Sequence, residues 1–270
     1  MSYLIFDRYY FDPDEISFWK VALRAIAFSV LASIIIWFLD EFLQNIRRLK
    51  LWFLLQVIHR RKKVRFSMSY LYRIRIDDKY LLVKNSKWEF FQFVGGVYKV
   101  LPHELDTLQE KYGAEPDKKL STSGVKKDDL RVFVPATKAL KFLDWFISAK
   151  NREVSHWREF CEELIRTEVL DFSTFPHVNY RFVGTVQTPL KKSQKFNCLE
   201  LLRYDVYDLK PSAEQEEALR KLKEKGDTEY IKWVDEQIIM SLGFDNVTKS
   251  EPFSVGIHTK WAVNMKYESP

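Results

Sequence analysis

Residues 158–164 read Arg158-Glu159-Phe160-Cys161-Glu162-Glu163-Leu164, about two turns of helix carrying three carboxylates and one arginine. Spacings of three and four place Glu159, Glu162 and Glu163 on neighbouring positions of one face, where they repel unless a cation or an arginine compensates. Such a face suits a hard divalent ion such as Mg²⁺ that also bridges substrate phosphates. The same pattern is also that of an acidic face turned to water. The helix alone leaves both readings open.

Working outward, the flanking chain alternates in the manner of strands. FSMSYLYRIRI (66–76) leads through a tight turn at Asp77-Asp78 into YLLVKN (80–85), followed by WEFFQFVGGVYKV (88–100). VNYRFVGTVQTPL (178–190) and KFNCLELLRYDVYDL (195–209) form a hairpin pattern. All are expected to be antiparallel. Helical periodicity marks 103–113, 136–150, 155–170, 213–225 and 228–242, and Ser212 with Gln215 forms a capping box after Pro211. The polar stretch 115–129 reads as an exposed loop. The class is α+β.

The order of a strand, Gly95-Gly96 and then R-E-Φ-x-E-E on a helix resembles the Nudix family. Arg158, Glu159, Phe160, Glu162 and Glu163 match the second half of its signature, and Gly96 matches its opening glycine. Sixty-one residues separate Gly96 from Arg158, far more than in the family. The expected domain is therefore a Nudix-like mixed sheet with a helical insertion that includes the strand RVFVP. Lys150 stands where the family has an upstream glutamate, and LIRTE after Glu163 lacks its glycine. Half of the acidic set is present, which leaves hydrolysis open and points towards a binding domain. If the chain is active, the resemblance implies Glu159 as the catalytic group and Mg²⁺ on Glu162 and Glu163; otherwise no cofactor is required.

The chain's N-terminal part narrows the resemblance. Phe18–Leu39 reads FWKVALRAIAFSVLASIIIWFL, about 33 Å as a helix and long enough for the ~30 Å hydrocarbon core of a bilayer. Lys20 and Arg24 lie near one end, where their stems reach the interface, and Trp19 and Trp37 sit at belt positions. Asp7, Asp12, Asp14 and Glu15 before the segment and WFLDEF at its end disfavour a cleaved signal sequence. Residues 40–65 continue as an amphipathic, polybasic juxtamembrane helix. Leu39, Phe42, Leu43, Ile46, Leu49, Phe53 and Val57 form a stripe that either packs on the domain, lies in the interface or pairs subunits. Leu51–Ile58 is apolar enough to dip into the bilayer.

The formal charge is +6 over 270 residues, but it is concentrated. Residues 1–65 hold eleven Lys/Arg against six Asp/Glu, a net +5 that leaves about +1 for 66–270. Eight of those cations follow the membrane segment, so the positive-inside rule places 66–270 in the cytoplasm and residues 1–17 outside. A near-neutral domain predicts no duplex nucleic-acid partner. Cys161 and Cys198 lack disulfide or metal spacing and fit a reducing compartment.

A membrane helix, a polybasic collar and an incomplete Nudix motif together resemble the transmembrane, SMODS-associated Nudix effectors of cyclic-oligonucleotide-based antiphage signalling systems (CBASS). That resemblance implies a cyclic oligonucleotide ligand, self-association on activation and disruption of the inner membrane. The alternative is a membrane-tethered, Mg²⁺-dependent Nudix hydrolase of a nucleoside diphosphate derivative. Arg73, Arg75, Trp88, Phe91, Phe93, Gly95 and Gly96 are the expected nucleotide-binding residues, because arginines and rings on strands can hold phosphates and bases.

Overall fold

A computed structural model describes residues 13–85, 89–117, 128–193 and 195–268, with the backbone alone at 13–19, 43, 44 and 102. The segment 1–12 and Trp88 lie outside the described residues. The chain divides into two compact units, 1–58 and 59–270.

The first unit is one helix. α1 runs unbroken over Pro13–Phe53 and ends in a wider turn at Leu54–Ile58, so the apolar and amphipathic segments share one axis of about 62 Å for α1 alone. Large apolar side chains are exposed all round it, among them Val30, Ile34, Ile36 and Trp37. Ser29 and Ser33 turn their hydroxyls back onto the carbonyls of Ala25 and Ser29, which satisfies them without water. This helix is long and apolar enough to cross a membrane.

The second unit is α+β with two sheets. The larger sheet is built on β1 (Lys63–Arg73) beside β10 (Leu199–Lys210). Beyond β10 lie β8 (Asn179–Gln187) and the short β9 (Lys191–Lys192). The other edge of β1 is shared by β7 (Arg131–Pro135) and β5 (Val94–Val97), with β6 (Glu115–Pro116) outside β7. The smaller sheet contains β2 (Arg75–Ile76), β3 (Lys79–Lys84), β4 (Phe91–Gln92) and β11 (Ile231–Val234). The run 66–76 changes sheets at Ile74, between β1 and β2.

Several expectations are corrected. Residues 40–65 are not one helix: the helical turns end at Ile58, and Lys63–Arg65 already belong to β1. The central pair β1–β10 is parallel, with Phe66 opposite Leu201 and Tyr72 opposite Tyr207; the long intervening chain supplies the crossover that a parallel pair needs. Residues 228–242 do not form one helix. Ile231–Val234 pair antiparallel with β3, and Asp235 then caps the short helix α6 (Glu236–Met240) by accepting the Ile238 N–H. Glu115–Pro116, expected within a loop, pair with Phe133 and Val132.

The capping box of Ser212 and Gln215 opens helix α5 (Ala213–Lys225) as expected. The insertion between Gly96 and Arg158 holds the helices α2 (Leu105–Tyr112) and α3 (Ala139–Ile147), and its strand β7 completes the main sheet.

β1 is buried on both faces. Phe66, Met68, Tyr70 and Tyr72 face an aromatic core, where Phe66 meets Phe142 of α3 at 5.0 Å and Tyr70 meets Tyr98 at 4.9 Å between ring centroids. The opposite face carries Arg65, Ser67, Ser69 and Leu71. Leu71 joins a second apolar cluster with Phe93, Val206 and Trp261, the last on helix α7 (Ile257–Asn264). The serines between Arg65 and Leu71 form a polar strip, and that strip positions the site.

Candidate functional site

The acidic heptapeptide forms α4 (Trp157–Phe160) followed by a π-helical turn, Cys161–Ile165. The Arg166 N–H bonds to the Cys161 carbonyl at 2.8 Å, five residues back, which widens the turn carrying Glu162 and Glu163. Such bulges recur at functional sites. This turn packs its carboxylates directly on Gly95 and Gly96, beside a cleft of about 380 Å³ that Ser67, Ser69, Leu71, Gln92, Tyr204 and His258 also line.

Both glycines are required by close approach. Gly95 has φ +152°, and a Cβ there would lie 2.2 Å from the Tyr70 carbonyl oxygen. A Cβ on Gly96 would lie 2.0 Å from Glu159 Oε1. The bare backbone lets the carboxylates reach the sheet: the Gly95 N–H donates to Glu163 Oε2 at 2.8 Å.

Arg158 neutralises the acids from within. Its guanidinium bonds to Glu153 at 3.0 Å and to the Val97 carbonyl at 2.8 Å, pairs with Glu159, and lies 3.7 Å from Glu162. Burial pushes the Glu159 carboxyl above its usual range, against the pull of Arg158. Burial pushes Glu163 well up, with the nearby Glu159 charge adding to it. A protonated Glu163 relieves the like-charge repulsion that three acids on one face would otherwise carry.

The Mg²⁺ implied by the motif can be tested against this arrangement. Two of the three carboxylates are engaged with Arg158 and the third with a backbone N–H. Among the described residues no three His, Cys, Asp or Glu side chains gather as a metal-holding group. The donors as arranged do not fit a resident divalent ion.

The structure brings Gly95, Gly96, Glu159, Glu162 and Glu163 together in the cleft and leaves the other described candidates outside it. Arg73 pairs with Asp208 at 2.6 Å. Arg75 donates to the Asp77 carbonyl and lies over the Tyr80 ring. Phe91 and Phe93 are core residues, packed on Phe253 and Tyr80; a ring that fills the core cannot also stack a base. Strand alternation supplies no means of telling a ring on the core face from one facing a cleft.

Sequence reasoning missed Lys99, Arg131, Tyr204 and His258, which also line the cleft. His258 stacks on Tyr204 at 5.5 Å with an interplanar angle of 6°, and its Nε2 lies 3.1 Å from Gln92 Oε1. Burial pushes its imidazole down to about 4, so it is neutral near pH 7. A lone histidine far along the chain carries no local signal for this placement.

No curated protein and no solved structure matches the chain. Residues 63–263, most of the second unit and well over half of the chain, match the SMODS-associated NUDIX domain. The paired glycines, the Nudix-type acidic helix packed on them and the two sheets all lie within this span, and the chain belongs to the SMODS-associated NUDIX family.

Proposed function

We propose that this protein is a membrane effector of antiphage signalling: its cleft binds a cyclic oligonucleotide, and the bound state self-associates so that α1 disrupts the inner membrane. The observation that carries the reading is the internal neutralisation of the acidic helix. With Glu159 and Glu162 answered by Arg158 and Glu163 held by Gly95, the motif is organised as a binding wall. The cleft volume lies within the ~300–1,000 Å³ range of ligand pockets. Family membership supports the signalling context, and the apolar helix supports the membrane role.

In this reading α1 crosses the inner membrane with its N-terminus outside, and the cations from Arg47 to Lys62 lie at the anionic cytoplasmic leaflet. The ligand acts by binding the associated state more tightly than the idle one, because only differential affinity shifts an equilibrium.

The test is a thermal-shift panel of cyclic di- and trinucleotides on the full chain in detergent micelles. A saturable rise in Tm with at least one of them is expected. No shift with any would overturn the receptor role. Mg²⁺-dependent turnover of a nucleoside diphosphate derivative, abolished by Glu163→Gln in a folded protein, would establish the hydrolase instead.

A further inference from the structure

The polar strip of β1 does not stop at the cleft. Ser67 and Tyr204 line both the cleft and a second cavity of about 530 Å³ that opens at the Arg65 end, between β1, the β9–β10 turn and α7. The two cavities share a wall but differ in charge. The first sets Lys99, Arg131 and Arg158 against Asp129, Glu159, Glu162 and Glu163. The second carries Arg65, Lys191, Lys192 and Lys195 against one acid, Glu200.

That acid is already engaged. Arg65 is buried with Asp117 at 2.7 Å and lies 3.5 Å from Glu200, so these charges answer one another. The lysines of β9 are placed otherwise. Lys191 Nζ lies 5.0 Å from the Tyr267 ring centroid and 5.5 Å from that of Trp261, with the Tyr267 hydroxyl at 3.4 Å. Lys192 is exposed at the rim. Among the described residues neither pairs with a carboxylate. An ammonium held over rings keeps its charge and its remaining donors available to an anion.

The Phe196 ring stands in the same cavity, with the Arg65 guanidinium 4.5 Å from its centroid. Cations with an aromatic surface between them match a phosphate attached to a flat, π-bearing group. In a domain whose overall charge is close to neutral, Lys191 and Lys192 bring a local concentration of positive charge to this cavity.

We propose that this second cavity is a nucleotide subsite, in which Lys191 and Lys192 take a phosphate or phosphodiester and Phe196 takes the base. The choice of a nucleotide rests on the receptor function proposed above, but the subsite is testable without any cyclic ligand. Calorimetric titration of the full chain in detergent micelles with each of the four 5′-nucleoside monophosphates, adenosine and inorganic phosphate reads it directly.

Saturable binding of at least one monophosphate is expected. Lys192→Ala and the packing-conserving Lys191→Met should each raise its Kd about tenfold, the loss of one charge-assisted hydrogen bond. Phe196→Leu should weaken the monophosphate similarly and leave inorganic phosphate unchanged. Lys221→Ala, an exposed α5 lysine paired with Glu217, should bind as wild type.

The proposal is overturned if no monophosphate saturates, if both β9 variants bind like wild type, or if inorganic phosphate binds as tightly as the nucleotides. Monophosphate binding without any response to the cyclic panel would overturn the receptor function alone. A cyclic ligand that raises Tm equally in wild type and both lysine variants would overturn the subsite alone.

Discussion

At Gly95 and Gly96 the backbone itself forms the wall of the site, and substitution tests that directly. Gly95→Ala meets both an unfavourable φ and a backbone oxygen, whereas Gly96→Ala meets the movable end of Glu159. Gly95→Ala should therefore cost more, about 1–3 kcal/mol. In a domain of this size that lowers Tm by roughly 2–4 °C per kcal/mol, measurable by thermal melting. Glu163 gives a pH signature. Its folded-state pKa is raised by burial, so its contribution to stability is fully present below the ordinary carboxylate range and is lost as pH rises through the folded value. Glu163→Gln retains an acceptor for the Gly95 N–H and does not ionise. Between pH 5 and 8 the wild-type Tm should fall relative to that of the variant; parallel curves would show that Glu163 does not bind its proton unusually tightly in the fold.

Among the elements, α5 shows how a local motif becomes a tertiary tie. Ser212→Ala removes one cap bond and should cost about 1 kcal/mol. Gln215 returns the cap and also donates to the Thr174 and His177 carbonyls, so Gln215→Ala should cost more by the same melting measurement. The cap was legible because its two residues lie three apart. So were the paired glycines and REFCEEL, which carry their meaning locally. IKWV was not, because Ile231, Val234 and Ile238 also satisfy a helical period, and only pairing with β3 settles the matter. The β9 lysines and Trp261 were not, because the parallel β1–β10 register and the docking of α7 bring them together from distant parts of the chain. Arg73, Phe91 and Phe93 show the converse failure: the right residue types near the glycines, used for an ion pair and the core instead.

For the molecule as a whole, the proposed function requires coupling between ligand and assembly. Moving the chain from one part in a hundred associated to ninety-nine requires the ligand to favour the assembled state by about 10⁴-fold. Full chains in lipid nanodiscs or vesicles should remain membrane-bound through alkaline carbonate washing, and an active cyclic ligand should increase chemically cross-linked oligomers; material released by carbonate would argue against a spanning α1. The stacked pair of Tyr204 and His258 bears on which ligands can do this. Tyr204 lines both cavities, so under the proposed function and subsite a ligand with two nucleotide units would reach around a single ring and occupy both without a second loss of translational freedom. Its second half then binds at an effective concentration in the millimolar range, and its affinity should exceed that of either mononucleotide by about 10²–10⁴-fold. Under the same proposal a mononucleotide would fill one side of the partition and leave the assembly equilibrium nearly where it was.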